Sequence, residues 1–367
     1  MKPFSLLIKP ASADCNLRCS YCFYLPKSRL YSESETHRMS GEVLERLVSS
    51  YMKTDQPRYV FGWQGGEPTL MGRDFFENVV QLQQEYGDKG AIVNNGLQTN
   101  ATMINAAFAK FLGMYKFLVG VSLDGPPDIH DHYRKDEQGH GSHRQVLRTV
   151  MRLKRQNVSF NALTLVNDKN VNRAGDIYRY LRDQGFSYHQ YIPCVEFDEN
   201  GNLLPWSISG EEWGQFLCEL FDEWKKSDSR RVSIRLFDSI LEYLVNGTRN
   251  TCVMGDSCSL YFLVEHNGDV YPCDFFVEPK WKIGNIMEQS WEEMQNSPVY
   301  ARFAEQKRKW NEQCNGCDYL EICAGDCLKH RLYNQNSPET ISWLCKGWKE
   351  FYDHSLDWFR KCAKELS

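Results

Sequence analysis

The chain has 367 residues, 42% apolar and 25% charged, which suits two or three ordinary domains and excludes a disordered or low-complexity polymer. Its 43 Lys plus Arg against 48 Asp plus Glu leave a net charge of −5, so neither nucleic acid nor an anionic membrane surface is an expected partner. No apolar run approaches the ~20 residues that cross a bilayer, and the opening MKPFSLLIKP lacks the cleavage site of a signal peptide. A cytoplasmic protein is expected, where thiols stay reduced, so 14 cysteines require a role other than disulfides.

In chain order, short apolar runs predict strands at Phe4–Ile8, Tyr59–Trp63, Gly90–Asn94, Phe117–Leu123, Ser159–Leu165 and Tyr188–Ile192. Helical periodicity fills the intervals near 40–53, 73–86, 103–113, 142–156 and 172–184, with Ser40 and Asn170 in N-cap regions. This alternation predicts a parallel α/β sheet, either open or a partial barrel. Four of nine histidines, His130, His132, His140 and His143, crowd one segment that reads as a solvated loop. After a polar connection at 198–209, a helix near 210–226 carries Trp213, Phe216, Leu217, Leu220, Phe221 and Trp224 as a core stripe. Beyond about 235, cysteines, glycines and turns dominate. Short strands Tyr261–Glu265 and Asp269–Tyr271 flank an Asn267-Gly268 hairpin signal, and an amphipathic helix closes the chain at 346–366.

Cys15, Cys19 and Cys22 lie in the loop after the first predicted strand, and no further cysteine precedes Cys194. A structural zinc site wants four ligands, but the nearest histidine, His37, is 15 residues beyond Cys22. Three thiolates on an iron–sulfur cube leave one iron open to a small molecule. Eight more cysteines fall between Cys252 and Cys345, including the dense Cys314-x2-Cys317-x5-Cys323-x3-Cys327. Two sets of four thiolates suit either zinc or iron–sulfur centres. Cys194, Cys218 and Cys362 are left over and read as ordinary thiols.

The string CNLRCSYC, with Tyr21 before its last cysteine, resembles the signature of the radical S-adenosylmethionine (SAM) superfamily. The resemblance implies a partial (β/α)6 barrel, a four-iron cluster on Cys15, Cys19 and Cys22, and SAM with its adenine by Tyr21. Gln64-Gly65-Gly66-Glu67-Pro68 resembles the GGEP segment of that family, so Gly65 and Gly66 are expected at the SAM amino group. Ser122 and Asp124 end the fourth predicted strand, where α/β folds carry ligands. Arg134 matches a family position that meets the SAM carboxylate, and Val195 one that touches adenine.

The later cysteines resemble the SPASM extension, which implies two auxiliary four-iron clusters. One would be held by Cys252, Cys258, Cys273 and Cys327, and the other by Cys314, Cys317, Cys323 and Cys345. Asp326 stands before Cys327 where relatives often carry Gly. The expected domains are a barrel over 1–231 and a SPASM domain with its C-terminal helix over 232–367.

Within this group LLIKPASADCNLRCSYCFY, FGWQGGEPTL, FLVGVSLDGP, SIRLFDS and GDVYPCDFFV most resemble the anaerobic sulfatase-maturating enzymes. That likeness implies oxidation of a Cys or Ser in a C/S-x-P/A-x-R segment of a sulfatase polypeptide to Cα-formylglycine. Asp274, after Cys273, matches the family's base, and an external electron donor such as a flavodoxin or ferredoxin is implied. Two other readings stand beside it. One is a sibling SPASM enzyme that crosslinks a ribosomal peptide. The other is a metal-binding or electron-transfer module without SAM chemistry.

Overall fold

The computed structural model describes residues 1–333 and 337–366. Its strands are β1 (Ser5–Lys9), β2 (Tyr59–Trp63), β3 (Val93–Thr99), β4 (Leu118–Ser122), β5 (Ser159–Val166), β6 (Tyr188–Pro193), β7 (Ser233–Ile234), β8 (Tyr261–Glu265), β9 (Asp269–Tyr271) and β10 (Gly284–Asn285). The helices are α1 (Gly41–Met52), α2 (Gly72–Tyr86), α3 (Ala106–Met114), α4 (Pro127–Tyr133), α5 (His143–Arg155), α6 (Ala174–Asp183), α7 (Gly210–Ser227), α8 (Arg235–Asn246), α9 (Trp291–Gln295), α10 (Pro298–Glu305), α11 (Leu320–Cys323) and α12 (Cys345–Leu366). Two compact units interleave along the sequence, the first formed by 1–122, 131–160 and 259–304 and the second by 123–130, 161–258 and 305–367.

In the first unit β1, β2, β3 and β4 run parallel in that order, as their alternation with helices predicts. Ser40 starts α1 by accepting the Val43 N–H. β8 adds to the other side of β1, also parallel, with Ser5 opposite Tyr261. β9 and β10 continue from it antiparallel, and Gly268 makes the β8–β9 turn at a φ of 88°. A hairpin expected among the cysteine-rich residues therefore belongs to the sheet of the first strand. The third strand begins at Val93 rather than Gly90 and runs on through Asn94-Asn95-Gly96. These polar residues hid it from a hydrophobicity search. Asn95 is satisfied in place, accepting the Trp63 indole N–H at 3.0 Å and pairing both amide groups with Gln83.

In the second unit β5, β6 and β7 pair in parallel. Asn170 is not a helix cap, because α6 begins only at Ala174. Its amide instead accepts the Asn167 N–H and donates to the Leu165 carbonyl, closing a loop in place of a helix. Helix α8 lies in a region expected to hold only strands and turns, and stops at Gly247 with φ 68°. The whole aromatic stripe of α7 is buried. Phe221 meets Phe237 of α8 and Phe351 and Phe359 of α12, while Trp213 meets Trp348 edge-on.

The α7–α12 crossing depends on three glycines. A Cβ on Gly347 would lie 2.0 Å from the Gly210 carbonyl oxygen and 2.7 Å from the Gly214 nitrogen. Gly347→Ala is therefore expected to force the helices apart at a cost of about 1–3 kcal/mol. Anaerobic thermal unfolding should then move down by several degrees. An unchanged midpoint would show that the crossing opens without penalty.

Candidate functional site

The loop after β1 holds Cys15, Cys19 and Cys22, with the Cys22 N–H bonded to the Cys19 carbonyl. It packs backbone to backbone on the Gly65-Gly66 turn after β2: the Gly66 N–H donates to Ser12 O and the Glu67 N–H to Asp14 O, both at 2.7 Å. A Cβ on Gly66 would lie 2.0 Å from Asp14 O, so only glycine allows this approach. Glu67 anchors the turn from beneath. Its buried carboxylate accepts the Thr69 N–H and hydroxyl, the Thr99 hydroxyl and the Asn100 N–H. Asn100 in turn reaches Cys15 Sγ at 3.6 Å. Burial, with the Glu67 charge adding to it, pushes the Cys15 thiol up to about 11. Tyr21 lies within the same loop and is buried, with Tyr133 edge-on at 5.2 Å and the Arg134 guanidinium 5.5 Å from its ring centroid. Ser122 ends β4 in this unit.

Asp274 occupies a corner of the first unit and is 17% exposed. Gln64 Nε2 donates to its Oδ2 at 3.1 Å, Lys9 Nζ stands 3.8 Å away, and Cys273 Sγ lies 3.6 Å from Oδ1. Tyr261 adds its hydroxyl to Cys273 Sγ at 3.3 Å. Lys9 is buried between Asp274 and the Tyr24 ring, whose centroid is 4.0 Å from Nζ. Burial lowers its affinity for a proton, and Asp274 and Glu265 oppose that. Tyr24 donates to the fully buried Glu265. Sequence reading passed over Lys9, Tyr24 and Glu265. The signal was a lysine ending an apolar strand and a glutamate ending another.

The second unit holds Cys314, Cys317, Cys323 and Cys345 together with Cys252, Cys258 and Cys327, while Cys273 lies in the first unit. Cys314, Cys317, Cys323 and Cys345 line one cavity with Tyr319 and Tyr352. Cys327 is four residues beyond Cys323 but turns elsewhere, because Ala324, Gly325 and Asp326 are three successive left-handed residues, with φ 46°, 69° and 63°. Cys327 instead feels the charges of Cys252 and Cys258. Burial pushes Cys258 up to about 11 and Cys323 and Cys327 up to about 12. Asp and Asn tolerate the left-handed region, so Asp326 holds its φ of 63° without being a glycine. Its buried carboxylate meets His330 Nδ1 at 2.8 Å and the Ser342 hydroxyl at 2.5 Å. Burial alone would raise this carboxyl, but His330, Ser342 and Lys307 hold it well below the usual range.

Asp124 and Val195 are also in the second unit, both buried. Asp124 Oδ1 accepts the Leu165 N–H, and its own N–H donates to His130 Nδ1 at 3.3 Å. The histidine segment is not simply a solvated loop. His130 and His143 are buried, His130 because α4 turns it back onto Asp124, while His132 and His140 are exposed.

Among the described residues no three His, Cys, Asp or Glu side chains converge on one metal-ion position. A cube of four irons and four sulfides spreads its thiolates around a body of eight atoms. The eleven cysteines of the three groups form no disulfide. Thiols raised by burial stay protonated alone and ionise on a metal. The donor set therefore suits iron–sulfur clusters.

Residues 10–181 match the radical SAM superfamily, and 252–318 match the SPASM iron–sulfur cluster-binding domain. A serine-type anaerobic sulfatase-maturating enzyme of Bacteroides thetaiotaomicron is 36% identical, covering 100% of this chain and 92% of the relative. A cysteine-type enzyme of Clostridium perfringens is 37% identical over 97% of each. The chain belongs to the anaerobic sulfatase-maturating enzyme family. A solved structure of native anSMEcpe with bound AdoMet and Kp18Cys peptide superposes with a TM-score of 0.92 at 36% identity, covering 99% of this chain and 100% of that one. Streptococcus suis SuiB shares the fold at 16% identity and a TM-score of 0.67. The fold is thus the radical SAM partial barrel with a C-terminal SPASM domain, and as a family member the chain is an enzyme that uses SAM and iron–sulfur clusters.

In this anaerobic sulfatase-maturating enzyme the Glu67 anchor decides whether the cysteine loop keeps its seat. Glu67→Gln replaces one acceptor oxygen by an NH2, set against either the Asn100 N–H or the Thr69 and Thr99 donors. The change is expected to cost on the order of 1–3 kcal/mol, since buried donors lose their acceptor. Anaerobic denaturant titration of Glu67→Gln against wild type measures it. An unaltered midpoint would mean the turn holds without its carboxylate.

Proposed function

We propose that this enzyme oxidises an active-site Cys or Ser of a sulfatase polypeptide, within a C/S-x-P/A-x-R segment, to Cα-formylglycine. One observation carries the reading: identity of 36–37% runs through essentially the whole chain to relatives of that name, one serine-type and one cysteine-type. Bound, the first cluster and SAM supply one-electron chemistry that removes a hydrogen atom from the substrate Cβ, and the auxiliary clusters supply the acceptor for a second electron.

The remaining work falls to residues of the chain. Cys15, Cys19 and Cys22 would hold the first cluster. Tyr21 would bind the adenine of SAM, the Gly65-Gly66 backbone its amino group, and the planar fork of Arg134 its carboxylate. Ser122, Asp124 and Val195 complete the cofactor contacts. Cys314, Cys317, Cys323 and Cys345 hold one auxiliary cluster, and Cys252, Cys258, Cys273 and Cys327 the other. Among the described residues no helix is long and apolar enough to cross a membrane. The enzyme works in the cytoplasm, with an external one-electron donor of the flavodoxin or ferredoxin class.

An aldehyde-level carbon requires loss of a hydrogen atom, then a proton and an electron. Asp274 takes the proton from the substrate thiol or hydroxyl. Its hydrogen bond from Gln64 and the nearby Lys9 side chain support that role by fixing the carboxylate in one orientation.

Two experiments test the assignment. The triple variant Cys15→Ala, Cys19→Ala, Cys22→Ala should retain about eight irons of about twelve and lose SAM cleavage. Iron content equal to wild type would remove the first cluster from these cysteines. Asp274→Asn keeps volume and should still cleave SAM, while formylglycine yield falls roughly 10²–10⁴-fold. Deoxyadenosine and aldehyde are quantified side by side on Cys and Ser peptides. Full aldehyde yield would leave Asp274 a turn residue.

A further inference from the structure

Two cations lie at the heart of the second unit without an equal number of anions. Lys307 is 0% and Arg331 1% exposed. Lys307 Nζ donates to the Val253 carbonyl at 3.1 Å and to the Asp326 carbonyl, the residues beside Cys252 and Cys327. Arg331 gives Nη1 to the Pro338 carbonyl at 3.1 Å and Nη2 to the Lys307 carbonyl at 2.9 Å. Among the described residues its buried Nε finds no acceptor, and Asp326 Oδ1 finds no donor. These partners are neutral carbonyls. The buried carboxylate beside them is that of Asp326, already engaged by His330 and Ser342.

A pair of buried cations answered by one carboxylate is a costly arrangement on its own. A negatively charged group held beside them would supply the missing anion, and Lys307 is bonded to the carbonyls of the residues next to Cys252 and Cys327. The field of Lys307 acts on Cys258, Cys323 and Cys327, and that of Arg331 on Cys258 and Cys314. Thus both cysteine groups of the unit face a fixed positive charge. Lys349 also acts on Cys314 and Cys345, but it is exposed and water screens it.

We propose that Lys307 and Arg331 are the counter-charge built for the auxiliary clusters, and that they set how readily those clusters accept an electron. The inference rests on the cluster assignment above. A four-thiolate cluster that takes one electron from the substrate radical would gain one negative charge, with no bond made or broken at these residues. A fixed cation close by stabilises that extra charge and raises the reduction potential. Lys307 and Arg331 act through the clusters, so they are positioning charges rather than catalytic groups.

The test uses the full chain in the Cys15→Ala, Cys19→Ala, Cys22→Ala background, where only auxiliary clusters report, with redox titration followed by electron paramagnetic resonance. Lys307→Met should retain about eight irons. It should also make reduction of an auxiliary cluster about tenfold less favourable, a downward midpoint shift of about 59 mV for one electron. About eight irons with an unmoved midpoint overturns the inference alone. A background protein without iron overturns the cluster assignment, and this inference with it. Should Lys307→Met shed its iron, Arg331→Met is read in the same way and by the same criterion. If both shed it, Lys307→Arg decides: retained iron with the charge kept supports the counter-charge, and lost iron overturns it.

Discussion

A thiol buried in low dielectric does not ionise unaided, and the cysteine sites of this chain are built around that constraint. Burial raises Cys15, Cys258, Cys323 and Cys327 above an ordinary thiol. As bare thiols they are inert, while bound to iron they are thiolates whose charge must be answered. Around the first cysteine loop the Leu17 N–H and the Asn100 amide both reach Cys15 Sγ, and the buried Lys9 acts on Cys22 and Cys273. In the second unit the buried cations are Lys307 and Arg331.

The same economy shapes the corner around Asp274. A carboxylate that takes a proton must be charged beforehand, held in one orientation and partly shielded from water. Gln64 orients it, and Lys9, backed by the Tyr24 ring and Glu265, supplies the positive charge. Lys9 ends β1 and Glu265 ends β8, and these strands are neighbours in register. Sheet pairing thus brings a lysine near the amino terminus to a carboxylate more than 250 residues later. The parallel pairing of β1 with β8 is what gives Asp274 its partner.

Features set by local chemistry were legible in the sequence. The Gly65-Gly66 turn, the Ser40 cap and the β8–β9 hairpin follow from residue spacing or from conformations few residues adopt. What escaped depends on contacts that residue type and spacing do not show. β3 was misplaced because Asn95 looks like loop until Trp63 and Gln83 bond it. Asn170 looks like a cap until Asn167 and Leu165 close a loop on its amide, and His130 looks solvated until α4 turns it back onto Asp124. Lys9, Lys307 and Arg331 carry no local signal, since a buried cation reads like any surface lysine or arginine. The left-handed run at 324–326, which sends Cys323 and Cys327 to different groups, was visible only as one aspartate in an unusual place.

The most direct measurement of the central claim is an anaerobic turnover of the iron-loaded enzyme with SAM, a reductant and short peptides bearing CxPxR and SxPxR. Products are sequenced by mass spectrometry, and deoxyadenosine is counted in parallel. The account predicts an aldehyde at the Cys or Ser of the motif, formed in proportion to SAM cleaved, and none when that residue is Ala. SAM cleavage that leaves both peptides unoxidised, or that yields a crosslink instead of an aldehyde, would contradict it.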